Sequence, residues 1–283
     1  MIDYQRLMGL KREGERFSYT DRETMLYAVS IGMGRDPLDA NELAYVVEGP
    51  VFKTVPTMAT VLTRIALLKD CGYDYSKVVH GEQRLTLHRP LPPQGKLVAD
   101  ARVVAAYDKG PGKGAVICTE ADVRLAADGR PLFTLASTTF ARGDGGFGGP
   151  AGSGQAPHPL PGRSPDVTAV FQTRKDQALL YRLNGDRNPL HADPEHSRRA
   201  GFPAPILHGL CTYGIACRAV LKTMAGYDHT RICAFDVRFS APVYPGESIA
   251  TDLWLDGKTV SFRCRIPERG DIVVINHGRC ALA

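Results

Sequence analysis

The sequence predicts an α+β fold built as a tandem repeat, each copy a helix followed by an antiparallel meander. Three observations carry that expectation: short segments recur at one offset, both halves show the same order of patterns, and a Gly/Pro-rich break divides them. Arg35-Asp36-Pro37-Leu38 returns as Arg187-Asn188-Pro189-Leu190, 152 residues later. Pro90 and Pro93 return as Pro242 and Pro245 at that same offset, each pair followed by a glycine, Gly95 or Gly246. Met25-Leu26-Tyr27 matches Leu179-Leu180-Tyr181 with a slip of two residues. One offset shared by distant segments marks a duplication.

The elements follow in order. In the first half, Met58, Val61, Ile65 and Leu68 form an apolar stripe that predicts a core helix over 57–69. Strands are expected near 83–89, 97–107, 115–125 and 132–140. Residues 143–165 then hold eight glycines and five prolines with no helical or strand period, which reads as a linker. The domain boundaries are therefore 1–142 and 166–283. Gly143-x-Gly145-x-x-Gly148 has the letters of a dinucleotide fingerprint, but Pro150 and further Gly/Ser stand where a helix would have to begin, so no nucleotide site is expected there. In the second half, Leu210, Tyr213, Cys217, Val220 and Met224 follow helical spacing, and Gly226 sits where that helix would stop. Strands are expected over 232–239, 248–255, 259–266 and 271–281. In the third of these Val260, Phe262, Cys264 and Ile266 alternate with Ser261, Arg263 and Arg265, the pattern of a strand buried on one side. Two sheets result, each wrapped around its own helix.

Composition excludes several functions. The chain has 283 residues, 43% hydrophobic and 23% charged, with 35 basic and 30 acidic residues interspersed for a net charge of +5. That is an ordinary globular balance without the basic stripe of a nucleic-acid binder, though it suits a polyanionic small ligand. Seven cysteines, an odd number with no C-x-x-C pair, read as reduced thiols. Met1-Ile2-Asp3-Tyr4 lacks the start of a secretory leader, no run is apolar enough to span a bilayer, and Arg279-Cys280-Ala281-Leu282-Ala283 is no peroxisomal address. A cytoplasmic protein with no membrane partner is expected.

The stretch 181–214 carries the chemistry. It is polar and Pro-punctuated up to Pro205, so Asp186, Asn188 and His191 belong to an irregular loop. Pro189 prevents a continuous helix through them, and its turn can fold Asp186 and His191 back toward one point, where a shared water would sit. Gly209 then opens the second-half helix. The first N–H groups of a helix have no internal partner, and a glycine leaves them open to close approach, which makes the Gly209 N–H a natural oxyanion donor. Blander readings accompany these. Asp and His on such a loop are commonly turn residues. His191, Asp193 and His196 fit no zinc spacing, so no metal is expected. His208 reads as support for the helix start and Cys211 as packing, not a nucleophile.

Asp186-Arg187-Asn188-Pro189-Leu190-His191, flanked by Asn184-Gly185 and Ala192-Asp193-Pro194, resembles the signature of MaoC-like, R-specific enoyl-CoA hydratases. The likeness continues through Pro205-Ile206-Leu207-His208-Gly209-Leu210-Cys211, which points to the two-repeat hydratase 2 type. Asp21 to Ala28, Phe52 to Thr57, His80-Gly81-Glu82-Gln83 and Gly143 to Gly149 resemble landmarks of its first half, so the similarity spans the chain. The resemblance implies a double hot-dog fold and R-specific hydration of trans-2-enoyl-CoA to an (R)-3-hydroxyacyl-CoA. Gly209 would polarise the thioester carbonyl while Asp186 and His191 hold a water. One of the pair would remove its proton and the other supply a proton to C2; which does which stays open. Asn188 would position the water or Asp186. His208, Arg198 and Arg199 are candidate substrate contacts, the arginines toward CoA phosphates if they are not simply solvated. No separate cofactor is implied, CoA being part of the substrate, and a homodimer is. At the repeat offset Asp186 falls opposite Gly34 and His191 opposite Asp39. One site per chain follows, with the first copy shaping an acyl pocket. A hot-dog thioesterase and a catalytically silent acyl-thioester binder remain the alternatives.

Overall fold

Alternation of apolar and polar residues decides most of this architecture, because each strand buries one face and exposes the other. The structure is a computed structural model describing residues 2–69, 71–74 and 77–283. In the first half, helices α1 (Tyr4–Met8), α2 (Asp21–Ser30), α3 (Ala40–Leu43) and α4 (Ala59–Leu62) accompany strands β1 (Lys11–Tyr19), β2 (Val78–Leu87), β3 (Gly95–Asp108), β4 (Ala115–Leu125) and β5 (Pro131–Ala141). The second half runs through β6 (Val167–Gln172), α5 (Gln177–Tyr181), α6 (Pro194–Arg199), α7 (Gly209–Thr223), β7 (Ile232–Phe239), β8 (Ser248–Asp256), β9 (Thr259–Ile266) and β10 (Ile272–Leu282).

All ten strands join one antiparallel sheet in the order β1-β3-β4-β5-β2-β7-β10-β9-β8-β6. Read from either edge, the copies appear in the same internal order, so the sheet has a pseudo-twofold centre at the β2–β7 pairing. There Glu82 lies opposite Arg238, and the Arg238 Nε donates to Glu82 Oε1 at 2.9 Å. This is the double hot-dog arrangement, and it differs from the expectation in two particulars. The two half-sheets are continuous at that seam instead of separate. The first-half helix also stops at Leu62, where 57–69 was expected, because Thr63 turns extended at φ −128°, ψ 100°. Thr57, Thr60, Val61, Thr63 and Ile65 crowd β-branched side chains into that stretch, which weakens helix formation. Past Leu62 the chain leaves the helical path, and Leu67 and Cys71 bury in a smaller second core with Ala101, Val103 and Ile117.

Among the described residues α7, with 15 residues, is therefore the one full hot-dog helix. Its spacing suggested a single apolar face, yet every residue from Cys211 to Leu221 is buried. The sheet covers one side and the first half covers the other. That covering includes a buried bidentate ion pair: Arg218 of α7 donates through Nε and Nη2 to Glu42 of α3 at 2.7 and 2.8 Å. The Arg218 guanidinium also stacks on Phe171 at 4.0 Å.

The glycine-rich run after β5 has a structural occupation. Asp108 Oδ1 accepts from the N–H groups of Gly110 and Gly146, and Oδ2 accepts from Gly148. The Gly146 and Gly148 amides of this run thus wrap the chain's own carboxylate, together with Gly110 of the β3–β4 turn.

Candidate functional site

Residues 182–193 form two short turns that bring distant side chains together. Arg182–Asn184 makes a 3-10 turn ended by Gly185 at φ 108°. Asp186 follows, its Oδ1 accepting from the Asn188 N–H at 3.2 Å, and the Asn188 Oδ1 accepts in turn from the Leu190 N–H at 3.0 Å. Pro189–His191 is a second 3-10 turn, with proline at its first position. Two successive Asx turns thus reverse the chain between Asp186 and His191. Asn188 orients Asp186 through its backbone amide, while its side chain is spent capping the next turn.

His191 is buried at 9% exposure. Its Nδ1 sits 2.8 Å from the Ile206 carbonyl, an acceptor only, so Nδ1 carries the proton and Nε2 keeps a lone pair. The ring stacks on His208, centroids 3.7 Å apart and planes at 25°. His208 does not cap α7 with its side chain. Its Nε2 instead donates to the Asp186 carbonyl at 3.1 Å, and among the described residues its buried Nδ1 has no partner. His208 is thus a strut, holding the His191 ring from below and tying the Asp186 backbone to the start of α7.

Asp186 keeps 41% of its side chain exposed and faces Arg64 Nη2 at 3.9 Å. Carboxylate and ring-nitrogen atoms of Asp186, His191 and His208 lie within 4.8 Å of one another. That spacing lets Asp186 and His191 bind one water, which reaches a little under 3 Å to each partner. It does not suit a metal ion. Rings stacked nearly parallel cannot both aim in-plane lone pairs at one point, and the free nitrogen of His208 is enclosed. Burial lowers the His191 pKa against the opposing pull of the Ile206 carbonyl and the Asp186 charge. Burial and the neighbouring His191 take His208 down to about 4. Both rings are therefore neutral near pH 7.

Gly209 begins α7 one residue beyond that strut. Among the described residues its N–H has no hydrogen-bond partner. A Cβ at Gly209 would stand 3.2 Å from the Phe239 ring, so a side chain here would press into the wall beside the amide. His80, packed against the same Phe239 at 4.9 Å, feels the Asp186 charge and is pushed down to about 4 by burial.

Of the residues named from sequence, Asp186, His191, His208 and Gly209 come together. Arg198 and Arg199 do not: they lie exposed on α6, and Arg199 faces Glu195 of the same helix at 3.8 Å. Cys211 is buried, and its thiol is held far above its usual range by burial. Arg64, Tyr181 and the Ile206 carbonyl are not among the site residues named from sequence, although Tyr181 and Ile206 fall within the quoted repeat and motif. Arg64 reaches the site only through tertiary folding, and no local pattern gives any of the three a role there.

The chain is similar to known proteins along its whole length. Residues 17–143 match the family described as the MFE-2 hydratase 2 N-terminal domain, and residues 157–276 match the MaoC like domain. Enoyl-CoA hydratase ChsH3 of Mycobacterium tuberculosis is 39% identical over 285 residues, covering 97% of each chain. The protein named peroxisomal enoyl-CoA hydratase 2 of Arabidopsis thaliana is 35% identical, covering 96% of this chain and 94% of that one. The crystal structure of a MaoC-like dehydratase from Phytophthora capsici superposes with a TM-score of 0.87 at 33% identity, covering 100% and 99% of the two chains.

Proposed function

Because the chain belongs to the MaoC-like proteins of the hydratase 2 type, we propose that it hydrates a trans-2-enoyl-CoA to the (R)-3-hydroxyacyl-CoA and catalyses the reverse dehydration. The observation that carries this reading is the meeting of Asp186 and His191 beside an unpartnered helix-start amide.

The thioester oxygen accepts from the Gly209 N–H, which draws electron density out of the C2=C3 bond as enolate character develops. A water held by Asp186 and the His191 Nε2 donates one hydrogen to each. Oxygen attacks C3 as one of the two acceptors takes its proton. Neither group begins as a donor toward the water, so the proton that reaches C2 is the one the water gave up. Hydroxyl adds to C3 and hydrogen to C2 from the same face of the alkene. A fixed acid–base pair of this kind contributes about 10² to 10⁴-fold. The acyl tail would run on the Arg64 side of Asp186, into the cleft that Thr60, Arg64 and Tyr181 line.

The test is a panel of trans-2-enoyl-CoA esters followed by loss of enoyl absorbance, with chiral analysis of the product. Exclusive R product is expected. The S isomer, or release of free CoA thiol, refutes the reading, and the thiol would mark a thioesterase.

The histidines set a pH dependence. His80 and His208 sit near 4 folded against 6.5 ordinarily, and His191 is lowered too. The unfolded chain therefore binds more protons than the folded one between about pH 6.5 and 4, and stability falls as pH drops through that window, by on the order of a few kcal/mol. Denaturant unfolding at pH 7.5, 6 and 5 should show the decline. With His191 lowered, kcat/KM should stay level below pH 6.5 before its acid limb begins. An acid limb centred above 6.5 contradicts the neutral, buried His191.

A further inference from the structure

Beside Asp186 lies a cleft of about 300 Å³ lined by both copies: Thr60, Thr63 and Arg64 from the first, Tyr181, Asn184 and Asp186 from the second. Val61, Ile65, Ala66 and Leu210 give this wall an apolar part that suits methylenes, but polar groups share it, and a tail made only of methylenes would leave them unanswered. Among the described residues, Thr63 Oγ1 and the Tyr181 hydroxyl are buried without hydrogen-bond partners, a state that native proteins seldom leave unanswered. Arg64 brings five N–H donors. Its charged neighbour Asp186 stands at 3.9 Å, an ion pair too long to be a hydrogen bond. The loop is shaped to admit this arginine. A Cβ at Gly185, where φ is +108°, would stand 3.1 Å from both Cδ and Nη1 of Arg64.

We infer that Arg64, with Thr63 beside it, binds a neutral acceptor oxygen on the acyl tail of the substrate, a ketone or hydroxyl two or three bonds beyond C3. The inference rests on the hydratase reading of this site and names its substrate class. Arg64 adjoins the carboxylate that holds the reacting water, so the oxygen it binds belongs to the near part of the tail and not to its far end. A neutral oxygen fits where an anionic one does not, since a second carboxylate would compete with Asp186 for the same guanidinium and repel it.

Two measurements test this separately from the hydratase reading. Calorimetric binding of heptanoyl-CoA and 6-oxoheptanoyl-CoA reads the oxygen site alone, and hydration of the matching trans-2-enoyl esters reads turnover. The keto ester should bind about tenfold tighter and show a kcat/KM about tenfold higher, as a hydrogen bond to a charged donor supplies. In Arg64→Met both ratios should fall to about one; taking a ratio cancels any common effect on Asp186. Thr63→Val should reduce the ratio about threefold without lowering the unfolding temperature. A purely structural Thr63 would leave the ratio unmoved. Equal binding by the wild-type chain, or a preference that survives Arg64→Met, overturns the inference. Preferential binding without hydration would sink the hydratase reading and leave the oxygen site standing, and hydration without preference would do the reverse.

Discussion

Asp186→Asn should lower kcat on any enoyl-CoA by about a thousandfold or more while leaving the fold intact. The substitution keeps the shape of the side chain and its Asx turn, since an amide oxygen can still accept from the Asn188 N–H. What disappears is the negative charge and the second strong acceptor toward the water. Loss of one member of an acid–base pair removes most of the 10² to 10⁴-fold such a pair supplies, along with part of the water's orientation. Stability should hardly move, because the side chain is 41% exposed and its ion pair with Arg64 is long. His191→Gln should cost a similar factor through loss of Nε2. Rates from enoyl absorbance, set beside thermal unfolding of the same samples, make the comparison. If Asp186→Asn keeps a tenth of wild-type kcat, the carboxylate carries no proton. If it unfolds, the residue is structural.

The largest effect on stability is expected at Glu42. Its side chain is 2% exposed and that of Arg218 8%. Glu42 accepts both guanidinium hydrogen bonds, takes the Tyr227 hydroxyl at 3.4 Å and accepts the Gly34 N–H at 3.0 Å. Glu42→Ala would leave a guanidinium buried against Phe171 with no counter-charge, and removing one partner of a buried pair costs about 3 to 5 kcal/mol. The desolvation of two charges is the larger hidden cost, so Glu42→Leu combined with Arg218→Met should recover most of that loss. Denaturant unfolding of the single and double variants decides the matter. A double variant as unstable as Glu42→Ala would show that the pair itself, and not the orphaned charge, is what matters.

These two residues also show what can be read from sequence. Asp186 and His191 were legible because a proline turn joins them locally, and Gly209 because helix starts leave amides unpaired. β4, β7 and β9 occupy the expected residues, since alternation is a local signal of a half-buried strand. The pairing of Glu42 with Arg218 joins residues far apart in sequence across the two copies, and no periodicity announces it. β1 was missed because it lies at the sheet edge with Lys11 through Arg16 all exposed, so it has no apolar face to show. The first-half helix was overextended because Met58, Val61, Ile65 and Leu68 keep helical spacing whether or not the backbone follows it. Past Leu62 those side chains serve a separate cluster, and tertiary packing overrides the pattern.

The β2–β7 seam has a consequence for how the protein can change over time. Two halves that meet as neighbouring strands of one polypeptide are present in equal number and at a local concentration no dilution reduces. Neither half has to recognise itself, so a substitution falls on one side of the axis without being mirrored on the other. Where the second copy holds Asp186 and His191, the first holds Gly34 and Asp39 within the same frame, and Arg64 of the first copy presses on the loop of the second.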